Sequence, residues 1–316
     1  MSTTEVAARP PASPSSMGRR ERRRGERVIE GLLILAALVS IVTTVGIVIS
    51  LLFPTVEFFG QVGIGEFLTG TAWTPLFADQ QFGVLPLLVS TLVVTAIATA
   101  IAVPLGLGAA IYLSEYARPR TRKTLKPVLE VLAGIPTVVY GFFALFALGP
   151  LFRGLWWGEQ EPSFQNLLIA SVAMGIMIVP TVASLSEDAM SAVPQGLRNG
   201  AYALASTRMQ VVTRVIFPAA FSGIVAAVVL GISRAIGETM IVTVAGGLVS
   251  DAVNVDPSRG SATMTAFIAS AGQGDLPLGS IDYQSIFAVG ALLFVLTFGL
   301  NIVSARLVRR YREAYE

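Results

Sequence analysis

Six stretches of this chain are each apolar for roughly twenty residues or more, long enough to carry a helix across a hydrocarbon layer about 30 Å thick. They run from about Val28 to Phe53, Phe82 to Leu113, Leu125 to Leu148, Phe164 to Leu185, Phe217 to Leu248 and Tyr283 to Leu307. Lipid offers no hydrogen bonds to the backbone, so such runs fold as helices that satisfy their own N–H and C=O groups. The expected fold class is therefore all-α, a polytopic membrane protein with six transmembrane helices. Only 13% of the residues are charged, against about 25% in a soluble domain.

Composition removes several kinds of chemistry. The chain has no Cys and no His, so disulfides, thiolate metal sites and the commonest general base are absent. Its lysines are Lys123 and Lys126 alone, which leaves a serine–lysine dyad inside the membrane without a base. Gly272-Gln-Gly-Asp275 spells the signature of an intramembrane aspartyl protease. It lies in a loop beside Pro277, and no apolar run holds a second Asp, so it reads as a turn.

The charges orient the spans. All but three of the 22 Lys and Arg fall in the N-terminal tail, in Ser114–Lys126, in the segment after the fourth span, or at the C-terminus. The exceptions are Arg153 and Arg259 in loops on the other side and Arg234 inside the fifth span. Both termini are thus expected in the cytoplasm. The run Gly18–Arg27 before the first span reads as a topology anchor that attracts anionic lipid rather than as a nucleic-acid arm. The organisation that follows is a basic tail (1–27), a first helix (28–53), an extracytoplasmic loop (54–81), a five-helix region (82–310) and a short cytoplasmic tail (311–316). In the loops, Trp73 and its Phe neighbours, with Trp156, Trp157, Glu159 and Glu161, are expected at or beyond the outer interface. Pro104-Leu-Gly-Leu-Gly108 is expected to bend the second span, and Glu130 to lie in the first turn of the third. Ser90, Thr91, Thr95 and Thr99 read as packing positions against a neighbouring helix.

The segment 189–217 is too polar and too basic to be a span. Pro194 suits a first helical turn, and Leu197, Ala201 and Leu204 then form one apolar stripe. Met209, Val212 and Ile216 form a second after Ala205-Ser-Thr207. Two short amphipathic helices joined by a tight turn would make a knob under the bilayer, either a docking element or an interfacial loop without a partner.

Asn199-Gly-Ala201, then Ala205, then Val215-Ile-Phe-Pro218 resembles the coupling loop of ABC importer permeases: Glu-Ala-Ala, three residues, Gly, nine residues, Ile-x-Leu-Pro. The spacing agrees throughout, while Asn199, Gly200, Ala205, Val215 and Phe217 depart from the pattern. The turn-forming Asn199-Gly200 predicts a shortened first helix. A more specific resemblance, to the phosphate permease branch (PstC), rests on Ala133-Gly-Ile-Pro-Thr-Val-Val-Tyr-Gly-Phe-Phe143, Val179-Pro-Thr-Val-Ala-Ser-Leu-Ser-Glu-Asp188 and Gly231-Ile-Ser-Arg-Ala-Ile-Gly-Glu-Thr-Met240, with Met264-Thr-Ala-Phe267 and the last span adding to it.

The resemblance implies a type I ABC importer permease fold in the bacterial inner membrane, N-in and C-in. It implies a heterodimer with a PstA-like sister permease, two ATP-binding subunits in the cytoplasm and an extracytoplasmic phosphate-binding protein. Arg198, Asn199, Gly200, Ala201, Ala205 and Pro218 would then couple to the ATPase. No phosphate-cradling Gly-x-x-x-x-Gly-Lys-Ser/Thr loop occurs, so ATP and Mg would be held by the partner chain, with no cofactor on this one.

Arg234 stands sixteen residues past Pro218, roughly 24 Å along a continuous helix. An arginine at the centre of a span costs about 2.5–3.5 kcal/mol. Glu238, one turn on, is expected to pair with it and lower that cost. A guanidinium suits a tetrahedral oxyanion through two parallel hydrogen bonds. Arg234, Glu238, Ser233 and Thr239 are therefore the expected translocation path or gate, with phosphate as the solute and another oxyanion such as sulfate as the alternative. A secondary transporter or channel, which needs no docking knob, is the more distant one; no internal repeat supports it.

Overall fold

The computed structural model describes residues 24–155 and 162–310. The basic tail ahead of Arg24, the residues Trp156, Trp157, Glu159 and Glu161, and residues 311–316 lie outside it. The chain divides into two compact units, residues 1–50 and 51–316. In the first, helix α1 (Arg24–Gln61) begins, and its apolar side chains are exposed, Leu33 and Val42 by 67% each. Such a helix is stable only where its surroundings are as apolar as itself. It runs on through Pro54, eight residues beyond the predicted end at Phe53.

In the second unit the described elements, all helical, are α2 (Ile64–Thr69), α3 (Leu85–Ile111), a π-turn π1 (Tyr112–Tyr116), α4 (Pro119–Ala133), α5 (Thr137–Phe143), π2 (Ala144–Leu148), α6 (Gly149–Leu155), α7 (Leu167–Ser191), α8 (Gln195–Ala203), α9 (Arg208–Val211), π3 (Val212–Ile216), α10 (Phe217–Ala219), α11 (Phe221–Ile236), α12 (Met240–Ala245), α13 (Met264–Gly272) and α14 (Ile281–Arg310). Five helices are long and apolar enough to span a membrane: α1, α3 with π1, α5 to α6, α7 and α14. A sixth span is made if α11 is taken together with the Arg208–Ala219 arm that precedes it, the two being bent by 73°.

The core is the junction of α3, α7 and α11. Small residues line it, with Ala98, Ala102, Ala170, Ala173 and Ala183 all fully buried, because close backbone approach is what drives helix association in lipid. The glycines set the distance. A Cβ on Gly106 would lie 2.8 Å from the Val182 side chain, and one on Gly231 would lie 3.1 Å from Ile178 and Val182. Both helices therefore close on the same turn of α7. Ser90 and Thr91 are buried at the outer end of α3, as packing positions should be, and Thr95 is buried one turn further on. Pro104 leaves α3 unbroken, and the departure from α geometry comes instead at π1.

Three expectations are overturned. The third span starts at Thr137, not Leu125: α4 is a separate, basic, amphipathic helix with no buried residue, and Gly134-Ile-Pro136 is the break between it and α5. Pro136 supplies no N–H and disfavours helical backbone at Ile135, and the Tyr140 hydroxyl donates to the freed Leu132 carbonyl at 3.0 Å. Glu130 consequently sits near the C-terminal end of α4 rather than in a first turn. Trp73 is not an interfacial anchor. It is 3% exposed, and its ring meets those of Phe67, Phe82 and Phe267 edge-on at 5.0–6.2 Å. Burial of about 150–250 Å² per aromatic ring explains why an extracytoplasmic segment with no long helix is ordered. That cap is closed by Gly70 and Gly83, where a Cβ on Gly83 would come within 2.2 Å of the Gly70 backbone.

The fifth span is also shorter than predicted. It ends at Ile236, and the chain turns at Gly237 before restarting as α12. Gly272-Gln-Gly-Asp275 is a turn, as expected, with the Gly274 N–H donating to the Ala271 carbonyl at the end of α13.

Candidate functional site

The break after α11 separates the two charged residues that sequence spacing puts side by side. On a continuous helix Arg234 and Glu238 would share a face. Here the Gly237 N–H bonds back to Ser233 and the Glu238 N–H to Ala235, which winds up α11 and turns Glu238 away. Its carboxylate accepts from the Met240 N–H at 3.1 Å and the Ile241 N–H at 3.4 Å. Its carbonyl accepts from the Thr265 hydroxyl at 2.7 Å. Glu238 is 8% exposed and acts as the cap of α12, satisfying N–H groups that would otherwise be orphaned in an apolar interior. The expected Arg234–Glu238 pair does not form.

Arg234 instead reaches across to α7, where its guanidinium donates to the Thr181 hydroxyl at 3.0 Å. No carboxylate neutralises it among the described residues, and it is half-buried. Thr181 follows Pro180 on α7, so the second of the three recognised sequence stretches supplies the acceptor for the third. Ser233, beside Arg234, donates to Asn301 on α14 at 3.5 Å. Thr239 is not part of this set: its hydroxyl bonds to the Gly237 carbonyl at 3.3 Å within the turn. The structure thus ties Arg234 to Thr181 of α7 and Ser233 to Asn301 of α14, and leaves Glu238 and Thr239 in the elbow.

A hydroxyl partner fixes the direction of a guanidinium without cancelling its charge. With one bond spent on Thr181, the remaining donors of the fork are available to an anion. In apolar surroundings that interaction is far stronger than it would be in water.

At the cytoplasmic end, the two short helices exist as expected. Helix α8 is not shortened by Asn199-Gly200, which lies inside it. The chain reverses through Ala205 at φ 59°, and Thr207 starts α9 with a reciprocal capping box to Gln210. Asn199, Gly200 and Pro218 are exposed and Ala201 is half-buried. The two ends of the first predicted stripe face away from the protein, Leu204 being 84% exposed and Leu197 exposed too, while Ala201 between them packs on the buried residues of α7 and α9. Of the second, Val212 and Ile216 are buried while Met209 is 61% exposed. The knob therefore offers Leu204 and Met209 outward. Arg198 differs from its expected place on that outward surface. It is 7% exposed, paired with Glu115 of π1 and bonded to the Met190 carbonyl at the end of α7 at 2.6 Å.

Ala205 occupies the left-handed turn where the coupling-loop pattern has Gly. A Cβ there costs about 1–2 kcal/mol, partly offset by the greater unfolded-state freedom of glycine, about 0.5–1 kcal/mol. Ala205→Gly is accordingly expected to stabilise the protein by about 0.5 kcal/mol, read as a small rise in thermal midpoint in detergent. A fall in midpoint would contradict the strain assigned to this turn.

One group went unrecognised in the sequence. Glu187 has no exposed surface, yet it holds Arg122 and Lys126 of α4, with Lys126 Nζ at 2.8 Å, and accepts from Ser191 at 2.8 Å. Lys126 also pairs with Asp188. The Asp188 and Glu187 carboxylates hold the Lys126 ammonium above its ordinary range, so its charge is kept throughout neutral pH and is lost only in alkali. The visible signal was an acidic pair at the cytoplasmic end of one span facing a basic loop after another.

A helical bundle that carries an unneutralised arginine between its spans and a bent, amphipathic knob beneath them defines a transmembrane permease component. The chain belongs to the family of binding-protein-dependent transport system inner membrane components, which matches residues 102–313. It is 36% identical over 282 residues to the probable ABC transporter permease protein YqgH of Bacillus subtilis, covering 88% of this chain and 90% of that one. It is 31% identical to the phosphate transport system permease protein PstC of Mesorhizobium japonicum, covering 87% of each. The fold is shared with a bacterial alginate ABC transporter at a TM-score of 0.62 and 16% identity, over 94% of this chain and all of that one. The type I ABC importer permease fold, N-in and C-in, is thus the fold of this multi-pass inner-membrane protein.

Proposed function

We propose that this chain is one of two permease subunits of an ATP-driven importer of inorganic phosphate. A PstA-like sister subunit completes the pathway, two ATP-binding subunits dock beneath it, and an extracytoplasmic phosphate-binding protein delivers the solute. ATP and Mg are handled by the partner, and this chain catalyses nothing. The observation that carries the reading is Arg234, held by Thr181 and left without a carboxylate. An unneutralised fork inside a membrane protein is an attractive site for a tetrahedral oxyanion. The relatives named PstC support phosphate as that anion. Asn199, Gly200, Ala201, Ala205 and Pro218 belong to the coupling knob, and Arg198 acts from beneath it.

Uptake of labelled phosphate by the full complex in proteoliposomes tests the solute. Arsenate, which matches phosphate in size and charge, is expected to compete, and sulfate at the same concentration is not. Equal competition by sulfate would replace phosphate with a broader oxyanion substrate, and uptake without ATP would overturn the ABC reading altogether.

A further inference from the structure

The π-turn π1 touches both knob helices at once. On one side Glu115 pairs with Arg198 of α8, with both side chains under 10% exposed. On the other, the Tyr116 ring lies 5.5 Å beneath the Arg208 guanidinium of α9, and its hydroxyl lies 3.9 Å from Met209 Sδ. The contacts differ in kind, one a buried ion pair and one a cation–π stack. They come from adjacent residues and grip the knob on either side of its Ala205 turn. Arg198 also bonds to the Met190 carbonyl, so the same side chain joins α8, π1 and the end of α7. Local π geometry is uncommon and recurs at functional positions. Here it turns two consecutive side chains towards two different helices.

What lies behind π1 gives the grip a consequence. Leu85–Tyr116 is one continuous helical run of 32 residues, close to 48 Å at about 1.5 Å per residue. At its far end Ser90 donates to the Ser261 hydroxyl at 2.7 Å, and the Met264 N–H donates to Thr91 at 3.1 Å. Those partners sit at the start of α13, beneath the extracytoplasmic cap. Midway, Gly106 presses on Val182 beside the turn that carries Thr181.

We propose that Glu115 and Tyr116 are positioning residues that clamp the knob to α3, making α3 a push-rod between the cytoplasmic knob and the outer segment Ser261–Met264. Movement of α8 and α9 is delivered to α3 first, and through α3 to the side of the membrane where solute enters. The inference rests on the function proposed above, because a push-rod needs a partner that pushes.

The absence of native cysteine permits a direct test in the full complex, reading ATP hydrolysis and phosphate uptake in the same proteoliposomes. Glu115→Gln is expected to lower the phosphate carried per ATP by about tenfold, with hydrolysis itself maintained, and the exchanged pair Glu115→Arg with Arg198→Glu is expected to recover much of the ratio. Tyr116→Cys with Arg208→Cys, whose side chains stack at 5.5 Å in the native protein, joined by a short thiol cross-linker, is expected to transport as well as or better than the same protein uncross-linked, since the clamp stays closed through the cycle. An unchanged ratio in Glu115→Gln, or arrest of transport by the cross-link, would overturn the proposal. A wild-type complex that shows no ATP-dependent phosphate uptake would instead refute the function on which it rests.

Discussion

Arg234→Ala is expected to abolish phosphate uptake while the protein still inserts and assembles. The two halves of that result have separate physical origins. An arginine at the centre of a span costs about 2.5–3.5 kcal/mol; Arg234 stands in the last turn of α11, where the cost is lower, and recovers part of it through a single hydroxyl bond to Thr181. Removing it relieves the membrane of a charge and orphans only a threonine hydroxyl, which can turn to its own helix backbone. Stability should therefore hold or rise slightly. Transport loses the one unneutralised cation of the site, and loss of a well-aligned donor to a developing or transferred oxyanion reduces rates by about a hundredfold or more. Arg234→Lys should fall between, because an ammonium keeps the charge but not the planar fork. Uptake per assembled complex is the measurement. Near-normal uptake by Arg234→Ala would remove this residue from the path.

The second large effect is on folding rather than flux. Glu187→Ala leaves Arg122 and Lys126 facing a cavity in which no carboxylate remains but the half-solvated Asp188. Breaking a buried ion pair from one side costs about 3–5 kcal/mol. Arg122 and Lys126 retain 39% and 29% of their side-chain exposure and can turn to water, so the lower end, about 3 kcal/mol, is expected. The thermal midpoint in detergent should drop by several degrees and the yield of folded protein should fall. Glu187→Gln, which keeps the volume and one acceptor for Ser191, should lose less. Indifference to Glu187→Ala would mean that the network is ornamental and that α4 is held on α7 by something else.

These two residues also show what a one-dimensional reading captures and misses. The spans, their orientation and the knob follow from hydrophobic length and from the segregation of Lys and Arg, both of which act through the solvent and need no tertiary detail. Arg234 is conspicuous for the same reason, as a charge where lipid forbids one. Its partner was misjudged because an i, i+4 spacing implies a shared face only while the helix lasts, and Gly237 ends it. The acceptor is Thr181, 53 residues earlier, which no periodicity connects to Arg234. The amphipathic character of Trp73 points to the interface, whereas three aromatic rings hold it inside, under a cap closed by Gly70 and Gly83. Arg198 looked like a surface charge on a polar segment, and burial against Glu115 depends on the end of a different span. In each case the missing information was a long-range contact, and in each the residue type was noticed before its partner could be.

In the proposed assembly the energy for accumulation enters through the apolar side chains that the knob turns outward. Leu204 and Met209 are 84% and 61% exposed; an aspartate at Leu204 leaves the bundle undisturbed and spoils only a groove that would receive it, whereas one at Met209 also removes the contact with Tyr116. The decisive measurement is phosphate accumulation against a gradient by complexes carrying Leu204→Asp and Met209→Asp, with the ATP-binding subunit assayed in the same purified material. The expected result is loss of accumulation together with loss or loosening of that subunit. Accumulation at the wild-type level, with the subunit still bound, would contradict the account.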